Sequence, residues 1–367
     1  MNLSYSNASS RREATLTGVS YPLRASAALL FATLSLYSCA TPAPVPGKAC
    51  RATAGIPGPE DFDVDTSFRP RRLLISSQDR RDHDPNGELV KPGVIFQLSP
   101  ARELVGTPQP LSFADRDGLP FHPHGIAFTV LGGVPLLYVI NHAMLNHHLI
   151  EVFAVKPGEL KLLRRLRSPL LISPNDLVVL PNGDLYVTND HGSSGNGFSR
   201  QVEDLLVRPW SSVVMYNAAS SKWSVVADGI AFANGIAVSP SGDFLYVGSS
   251  RDRGIFVYKR TPSTGELSPR PDFIDLHSGA DNLMWEKPGI LDIAAHPSAI
   301  AFLGHMRSSE NLSPSEIFRL NTESRVAERI YSNDGKQISG SSTGLVWNGM
   351  LIVGQVFEPF LLTCNAD

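Results

Sequence analysis

Oxygen-bearing side chains occur at matching positions of a short phrase that this chain repeats six times. Each phrase begins with polar or glycine residues and leads into an apolar, strand-like run. If the phrases are structural repeats, their first residues converge, and burying several carboxylate and amide oxygens together would be costly without a cation. Calcium binds six to eight such oxygens, and mixed Asp, Glu and Asn sets suit it better than zinc. The residues predicted to converge on such an ion are Glu60, Asn175, Asn234, Asp281 and Asn282.

Two histidines, His124 and His142, lie on the two strands of one repeat. Such a pair can activate water, because one imidazole removes the proton while the other holds it in the required tautomer. His124 is the candidate base and His142 its support, with Glu60 and Asp281 as alternative bases. Water is the expected nucleophile, since no serine elbow or free cysteine stands out.

The elements that would position these residues are short β-strands. The clearest repeats are residues 175–188 and 234–247, in which Pro-Asn-Gly-Asp and Pro-Ser-Gly-Asp turns separate two apolar runs. Weaker copies begin near Glu60, His124, Asp281 and Ser341. A spacing of roughly fifty residues is the length of a four-stranded propeller blade. The sequence therefore predicts an all-β fold, a six-bladed β-propeller with a central calcium-binding channel, although each phrase taken alone could be an ordinary turn.

Composition narrows the class of protein. The chain has 367 residues, of which 42% are apolar and 18% charged, with a formal net charge of −3. The apolar fraction excludes disorder throughout, and a nucleic-acid-binding protein would normally carry a basic surplus. The three cysteines exclude a disulfide-rich miniature fold and a zinc site built from four cysteines. A small-molecule substrate is therefore the expected partner, with no nucleic acid.

The N-terminal segment has the pattern of an export signal. An apolar run from Ala25 to Tyr37 follows Arg24 and ends just before small residues. The predicted organisation is an export signal at 1–39, a Pro-rich spacer at 40–49 and a propeller hydrolase domain at 50–367. Residues 36–39 are similar to a bacterial lipobox, so either lipidation at Cys39 anchors the protein to a membrane or a peptidase cuts nearby. The protein is expected to be exported, as a secreted, periplasmic or surface protein.

Export affects the interpretation of the two remaining cysteines, Cys50 and Cys364, at opposite ends of the folded region. In an oxidising compartment an isolated pair is most simply a disulfide. Pairing the first and last segments is also what a closed ring needs. Two free thiols are the alternative.

Nine short motifs stand out between Cys50 and Cys364. They are Gly58-Pro-Glu-Asp61, Pro123-His-Gly-Ile126, Val139-Ile-Asn-His142, Pro174-Asn-Asp-Leu177, Thr188-Asn-Asp-His191, Phe232-Ala-Asn-Gly-Ile236, Asp281-Asn282, His296-Pro297 and Gly354-Gln-Val-Phe357. Each motif by itself is modest, but the ordered set is highly specific. The same motifs occur in the same order in the calcium-dependent paraoxonases, which the chain resembles from about Cys50 to Cys364.

The resemblance implies a six-bladed propeller with two calcium ions and a disulfide between Cys50 and Cys364. The catalytic calcium would be bound by Glu60, Asn175, Asn234, Asp281 and Asn282. A structural calcium would be bound by Asp61, the main-chain carbonyl of Ile126 and Asp176. The paired histidines would be His124 and His142, the pocket wall would include Phe232, and His191 and His296 would have supporting roles.

The expected function is calcium-dependent hydrolysis of lactones and aryl esters, with organophosphate triesters as a weak side reaction. Two alternatives stay open: a gluconolactonase- or strictosidine-synthase-like propeller with one metal, and a calcium-stabilised propeller that only binds a ligand. Asp61, Asp176 and the histidine pair argue against the first alternative. His147-His148 is interpreted as a solvated loop, and the charged segment 79–84 as a loop.

Overall fold

The computed structural model describes residues 49–85, 87–99, 106–195 and 198–366, which form six β-sheets. Five of the sheets have four strands and one has five. The innermost strand of each sheet contacts the innermost strand of the next, and the last contacts the first. The predicted six-bladed β-propeller is therefore confirmed.

The blades are numbered here in chain order of their innermost strands. The chain starts with β1 (Cys50–Ala54), which belongs to blade 6. Blade 1 contains β2 (Pro59–Asp65), β3 (Arg72–Ser77), β4 (Val94–Leu98) and β5 (Gln109–Pro110). Blade 2 contains β6 (Ser112–Ala114), β7 (Pro123–Leu131), β8 (Val134–Met144), β9 (His147–Lys156) and β10 (Glu159–Leu166). Blade 3 contains β11 (Pro174–Val179), β12 (Leu185–Asn189), β13 (Ser211–Asn217) and β14 (Lys222–Ile230).

Blades 4, 5 and 6 form the second half of the ring, and the paired strands within each of them are antiparallel. Blade 4 contains β15 (Ala233–Val238), β16 (Phe244–Ser249), β17 (Gly254–Lys259) and β18 (Asp272–Asp275). Blade 5 contains β19 (Gly279–Lys287), β20 (Ile290–His296), β21 (Ser315–Asn321) and β22 (Val326–Asn333). Blade 6 contains β23 (Ser341–Trp347), β24 (Met350–Gln355) and β25 (Phe360–Asn365), with β1 as its outer strand.

Strands from both ends of the chain complete blade 6. β1 pairs antiparallel with β25, with Cys50 directly opposite Cys364, and a disulfide joins the two residues. The disulfide is therefore confirmed, and the alternative of two free thiols is wrong. The ring is closed by a row of strand hydrogen bonds and by one covalent bond.

The apolar core lies between the blades. Tyr138 and Val152 of blade 2, for example, belong to the same buried cluster as Leu185 and Val214 of blade 3. The middle strands are covered on both faces, so β3 and β12 are buried along their whole length. Burial in these two strands is therefore continuous rather than alternating.

Two short helices, α1 (Phe198–Leu206) and α2 (Ala299–Arg307), connect the second and third strands of blades 3 and 5. Ser298 caps α2, and its side chain accepts a hydrogen bond from the N–H of Ala301. Over the described ranges, neither of the helices is long and apolar enough to cross a membrane. The predicted export signal, Cys39 and the spacer up to residue 48 lie outside the described residues.

Candidate metal centre and active site

The innermost strand of every blade has an irregularity in its pairing where the repeated phrase begins. A β-bulge places two residues of one strand opposite a single residue of its partner strand and redirects their side chains. Two consecutive polar residues can therefore both point towards the central channel. Both members of the pairs Glu60-Asp61, Asn175-Asp176 and Asp281-Asn282 are buried. The register shifts lie between Pro59 and Asp61, Pro123 and Ile126, Pro174 and Leu177, Ala233 and Ile236, Ala280 and Leu283, and Ser341 and Thr343.

Neighbouring inner strands approach each other too closely for a side chain at two phrase positions. A Cβ added at Gly125 would lie 2.5 Å from the main-chain oxygen of Asn175. One added at Gly235 would lie 2.5 Å from the main-chain oxygen of Asp281. Glycine in the His-Gly and Asn-Gly words therefore lets the polar residues of adjacent blades come together.

The five residues predicted to bind the catalytic ion are buried on the inner strands of blades 1, 3, 4 and 5. Asn282 Nδ2 donates to Glu60 Oε1 at 3.1 Å. Asn175 Nδ2 donates to Asp190 Oδ2 at 3.3 Å, and Asn234 Nδ2 donates to Ser250 Oγ at 3.2 Å. Surrounding acceptors thus hold all three amide nitrogens and leave the amide oxygens for another partner.

Four oxygen atoms of this set are buried and have no hydrogen-bond partner among the described residues. Leaving a buried acceptor unpaired costs about 1–3 kcal/mol each, and an oxygen-binding cation would satisfy all four. No three His, Cys, Asp or Glu side chains of the described ranges form a metal cluster by themselves, whereas the unpaired set combines one carboxylate oxygen with three amide oxygens. The donor set therefore fits calcium. The four atoms are Oε2 of Glu60 and Oδ1 of Asn175, Asn234 and Asn282.

Glu60 is flanked by two basic side chains. His124 Nε2 lies 3.6 Å from Glu60 Oε1, and Arg80 Nη2 lies 3.8 Å from Glu60 Oε2. Burial by itself would raise the pKa of Glu60, but His124 and Arg80 bring it below its ordinary value. Arg80 comes from the charged segment 79–84, which is a loop as predicted, yet its guanidinium turns inward and donates to main-chain oxygens of Gly58 and Pro123. Sequence reasoning missed this residue.

The second predicted set has a different environment. Asp61 Oδ2 accepts a hydrogen bond from the N–H of Ile126 at 2.7 Å, and Asp176 Oδ2 accepts one from the N–H of Ile236 at 2.9 Å. Burial raises the pKa of both carboxyls well above the ordinary value, and the charge of Asp176 raises that of Asp61 further. A cation between the two carboxylates would relieve this repulsion. The contact of Ile126 with Asp61 is made by its amide N–H, whereas the resemblance assigns a role to its carbonyl.

Three histidines, rather than two, form a continuous row. His124 Nδ1 lies 2.8 Å from His142 Nε2, and His142 Nδ1 lies 2.8 Å from His148 Nδ1. Burial and the neighbouring imidazoles lower the pKa of His142 well below its ordinary value, and burial lowers the pKa of His148 to about 4. The interpretation of His148 as part of a solvated loop is wrong, because it lies in β9 directly opposite His142. His147 is exposed, as expected.

Two further histidine–carboxylate pairs border the channel. His296 Nε2 lies 2.7 Å from Asp281 Oδ2, and His191 Nδ1 lies 2.7 Å from Asp190 Oδ1. The ring of Phe232 stands edge-on to that of His191, with centroids 4.9 Å apart. Phe232 is two residues before Asn234, so an aromatic wall lies close to the candidate metal ligands. Asp190, which also holds the Asn175 amide, belongs to the word Thr188-Asn-Asp-His191 but received no role from the sequence.

One serine that sequence reasoning overlooked does lie in a Gly-x-Ser-x-Gly word, Gly340-Ser-Ser-Thr-Gly344. Its central residue, Ser342, is buried in β23, and its hydroxyl donates to the main-chain oxygen of Glu60 at 2.5 Å. A nucleophile elbow requires an exposed serine on a turn between a strand and a helix. Ser342 is therefore a structural link between blades 6 and 1.

Comparison with known proteins agrees with this architecture. The family model described as arylesterase matches residues 111–365. Serum paraoxonase/arylesterase 1 of Homo sapiens is 32% identical over 248 residues, which cover 66% of this chain and 68% of the human protein. Serum paraoxonase/lactonase 3 of Oryctolagus cuniculus is 30% identical over 329 residues, which cover 87% of this chain and 89% of the rabbit protein.

Solved structures share the fold at low sequence identity. A luciferin-regenerating enzyme aligns with a TM-score of 0.56 and 12% identity, over 87% of this chain and 95% of that chain. A calcium-binding regucalcin from Agrobacterium tumefaciens aligns with a TM-score of 0.53 and 14% identity, over 86% of this chain and 93% of that chain. These likenesses concern the propeller alone.

Proposed function

The chain belongs to the arylesterase family, and on that premise we propose that it is a carboxylic ester hydrolase that cleaves lactones and aryl esters with calcium as cofactor. The observation that carries the proposal is the set of four buried oxygen atoms that no described residue satisfies by hydrogen bonding. The histidine row begins 3.6 Å from one residue of this set, so a cation and a base would act on the same substrate.

The catalytic calcium would be held by Glu60, Asn175, Asn234, Asp281 and Asn282. When bound, calcium would polarise the substrate carbonyl and stabilise the negative charge that develops on its oxygen. The amide nitrogens of Asn175 and Asn234 already bond to Asp190 and Ser250, so their oxygens are the atoms left to bind.

A second, structural calcium would be held by Asp61, Asp176 and the main-chain carbonyl of Ile126. The support for this ion is electrostatic, because two buried carboxyls with raised pKa values destabilise the ring when both are ionised. The resemblance to the calcium-dependent paraoxonases agrees with calcium as the ion.

His124 would remove a proton from water at Nε2. For this it must carry its own proton on Nδ1 and donate it in a hydrogen bond to His142 Nε2, 2.8 Å away. His142 stays neutral near pH 7 because its pKa is low, and so it keeps the lone pair that this bond needs. Glu60 would stabilise the charge that His124 acquires, and the proton would then pass to the leaving oxygen.

Phe232 would form part of the apolar wall for the acyl or aryl part of the substrate, with the ring of His191 packed edge-on against it. Organophosphate triesters would be weak substrates, because a phosphoryl oxygen can take the place of the carbonyl oxygen.

Residues 1–39 would direct export, with residues 40–49 as a spacer before the domain at 50–367, and lipidation at Cys39 would anchor the protein to a membrane. The disulfide agrees with an oxidising compartment.

The test is hydrolysis of phenyl acetate, an aliphatic δ-lactone, a long-chain acyl-homoserine lactone and gluconolactone, each with calcium and after chelation. We expect calcium-dependent turnover, and in His124→Gln we expect kcat to fall at least about 100-fold with calcium content unchanged. The matched control is His277→Gln, since the His277 side chain is 89% exposed.

Absence of turnover by protein that contains calcium would replace the proposal with a ligand-binding propeller. Turnover restricted to gluconolactone would instead favour the gluconolactonase-like alternative. Turnover that survives verified removal of calcium would contradict the role of the metal.

A further inference from the structure

We propose that His148 is a positioning residue that fixes the tautomers of His142 and, through it, of His124. This inference rests on the proposed function, in which His124 is the base. Its structural basis is the row of three imidazoles, with two nitrogen–nitrogen distances of 2.8 Å. Nothing in the family resemblance assigns a role to this position.

Each contact in the row needs one N–H and one lone pair, and a neutral imidazole has one of each. Only two arrangements of the row satisfy both contacts. In the first, His124 Nδ1–H donates to His142 Nε2 and His142 Nδ1–H donates to His148 Nδ1. In the second, every proton is on the other nitrogen of its ring and every donation is reversed.

Only the first arrangement leaves a lone pair on His124 Nε2, the atom that faces Glu60 and would accept a proton from water. Glu60 by itself favours the second, since a carboxylate 3.6 Å from His124 Nε2 attracts a proton to that nitrogen. The required tautomer must therefore be stabilised from the other end of the row, and His148 occupies that end.

His148 is suited to be the acceptor in the row. It is partly buried and lines a cavity of about 520 Å³ together with His147 and Arg167. A His148 that carries its proton on Nε2 can present that proton to water in the cavity and keep Nδ1 free to accept from His142. Burial and the positive charge of Arg200 keep His148 neutral, although the nearby Asp190 opposes this effect.

The hairpin formed by β8 and β9 sets this geometry. In the antiparallel register His142 is directly opposite His148, and a register shift follows between His142 and Met144. Side chains directly opposite one another on one face of a sheet lie within contact distance. His147, the next residue, points elsewhere and contacts Arg167 at 2.9 Å.

The first experiment compares His148→Leu, which has no acceptor, with His148→Asn, whose Oδ1 can take the place of Nδ1. We expect kcat of His148→Leu to fall about 10- to 100-fold with KM and calcium content unchanged, a part of what a general base contributes. His148→Asn should stay within about threefold of the wild type, as should the matched control His147→Leu. Equal loss in His148→Asn and His148→Leu, or no loss in His148→Leu, would overturn the proposal.

The second experiment is nitrogen NMR of the histidine side chains in the calcium-loaded wild-type protein, which requires neither turnover nor a variant. The proposal requires His142 to carry its proton on Nδ1, and a proton on Nε2 would overturn it. The spectra also separate the two failures: a protein that hydrolyses none of the panel refutes the proposed function, whereas the tautomer of His142 decides this inference alone.

Discussion

At the scale of single residues, the carboxylates of the ring make two kinds of contact. Glu60 and Asp281 face basic side chains, His124 and His296, at the candidate metal site. Others tie neighbouring blades together by accepting main-chain hydrogen bonds, as Asp63 does from Phe128 N–H and Asp292 from Val346 N–H, both at 2.7 Å. Contacts of the first kind lie at the candidate metal site, and contacts of the second kind join neighbouring blades.

Asp292 gives a prediction about pH. Burial raises its pKa to about 6, against 3.8 for a free side chain, so in this range the folded state binds the proton more tightly than the unfolded state. The contribution of Asp292 to stability is therefore present at low pH and is lost as pH rises through about 6. The difference corresponds to about 3 kcal/mol.

We expect the free energy of unfolding of the wild type, relative to that of Asp292→Asn, to fall by about 2.4 kcal/mol between pH 4 and 7, since part of the effect is already lost at pH 4. Denaturant titrations at several pH values would measure it. The matched control is Asp228→Asn, at an exposed position. A constant difference between wild type and Asp292→Asn would show that the carboxylate is already charged at pH 4.

At the scale of elements, the six inner strands share one structural pattern, although their residues differ. Each has a bulge where its phrase begins, and each packs against the next inner strand. Bulges redirect side chains, and the glycines at 125 and 235 let the strands approach. The site therefore depends on the ends of all six inner strands. A displacement of one strand should also displace the candidate ligands on the next strand.

Gly235→Ala tests this coupling. The added Cβ would meet Asp281 O at 2.5 Å and Asn282 Cα at 2.6 Å, so the strand carrying two candidate ligands would have to move. We expect a loss of about 1–3 kcal/mol in stability, typical of overpacking, together with weaker calcium binding by calorimetry. The control is Gly118→Ala, where an added Cβ meets nothing within 4 Å. Unchanged calcium affinity in Gly235→Ala would mean that the ligands do not depend on this close approach.

At the scale of the whole molecule, stability depends on closure of the ring. Blade 6 combines β1 with β23, β24 and β25, and the disulfide joins residues 314 positions apart in sequence. The large loop closed by this bond restricts the unfolded chain strongly in the chain-entropy model. We therefore expect metal binding and ring closure to stabilise the same cooperative folding unit, the whole propeller.

Replacing both Cys50 and Cys364 by serine should lower the free energy of unfolding by roughly 5–6 kcal/mol in that model. The candidate metal ligands and His124 lie on inner strands, so kcat at 25 °C should change little while the ring is closed by strand pairing. Thermal melts with and without calcium, alongside hydrolysis rates, would measure both. A melting temperature equal to that of the wild type would mean that the pairing of β1 with β25 is sufficient for closure.

Much of the fold and part of the candidate site could be predicted from the sequence. Turn words and apolar runs repeat with a blade-length period, and they predict the number of blades because each repeat is a local unit. Cys50 and Cys364 predict the closure for a similar reason, since a ring brings the two ends of its chain together. The positions of Glu60, Asn175, Asn234, Asp281 and Asn282 on the inner strands follow from the same repeat.

Only the tertiary structure places His148 beside His142 and turns Arg80 towards Glu60. The sequence spacing of His142 and His148 fits a loop equally well, because strand register and bulges depend on pairing with the rest of the sheet. Nor does a sequence tell which atoms stay unpaired, such as the amide oxygens of Asn175 and Asn234. Local repeats therefore determined the architecture, and long-range contacts decided the direction of each side chain and hence the chemistry available to it.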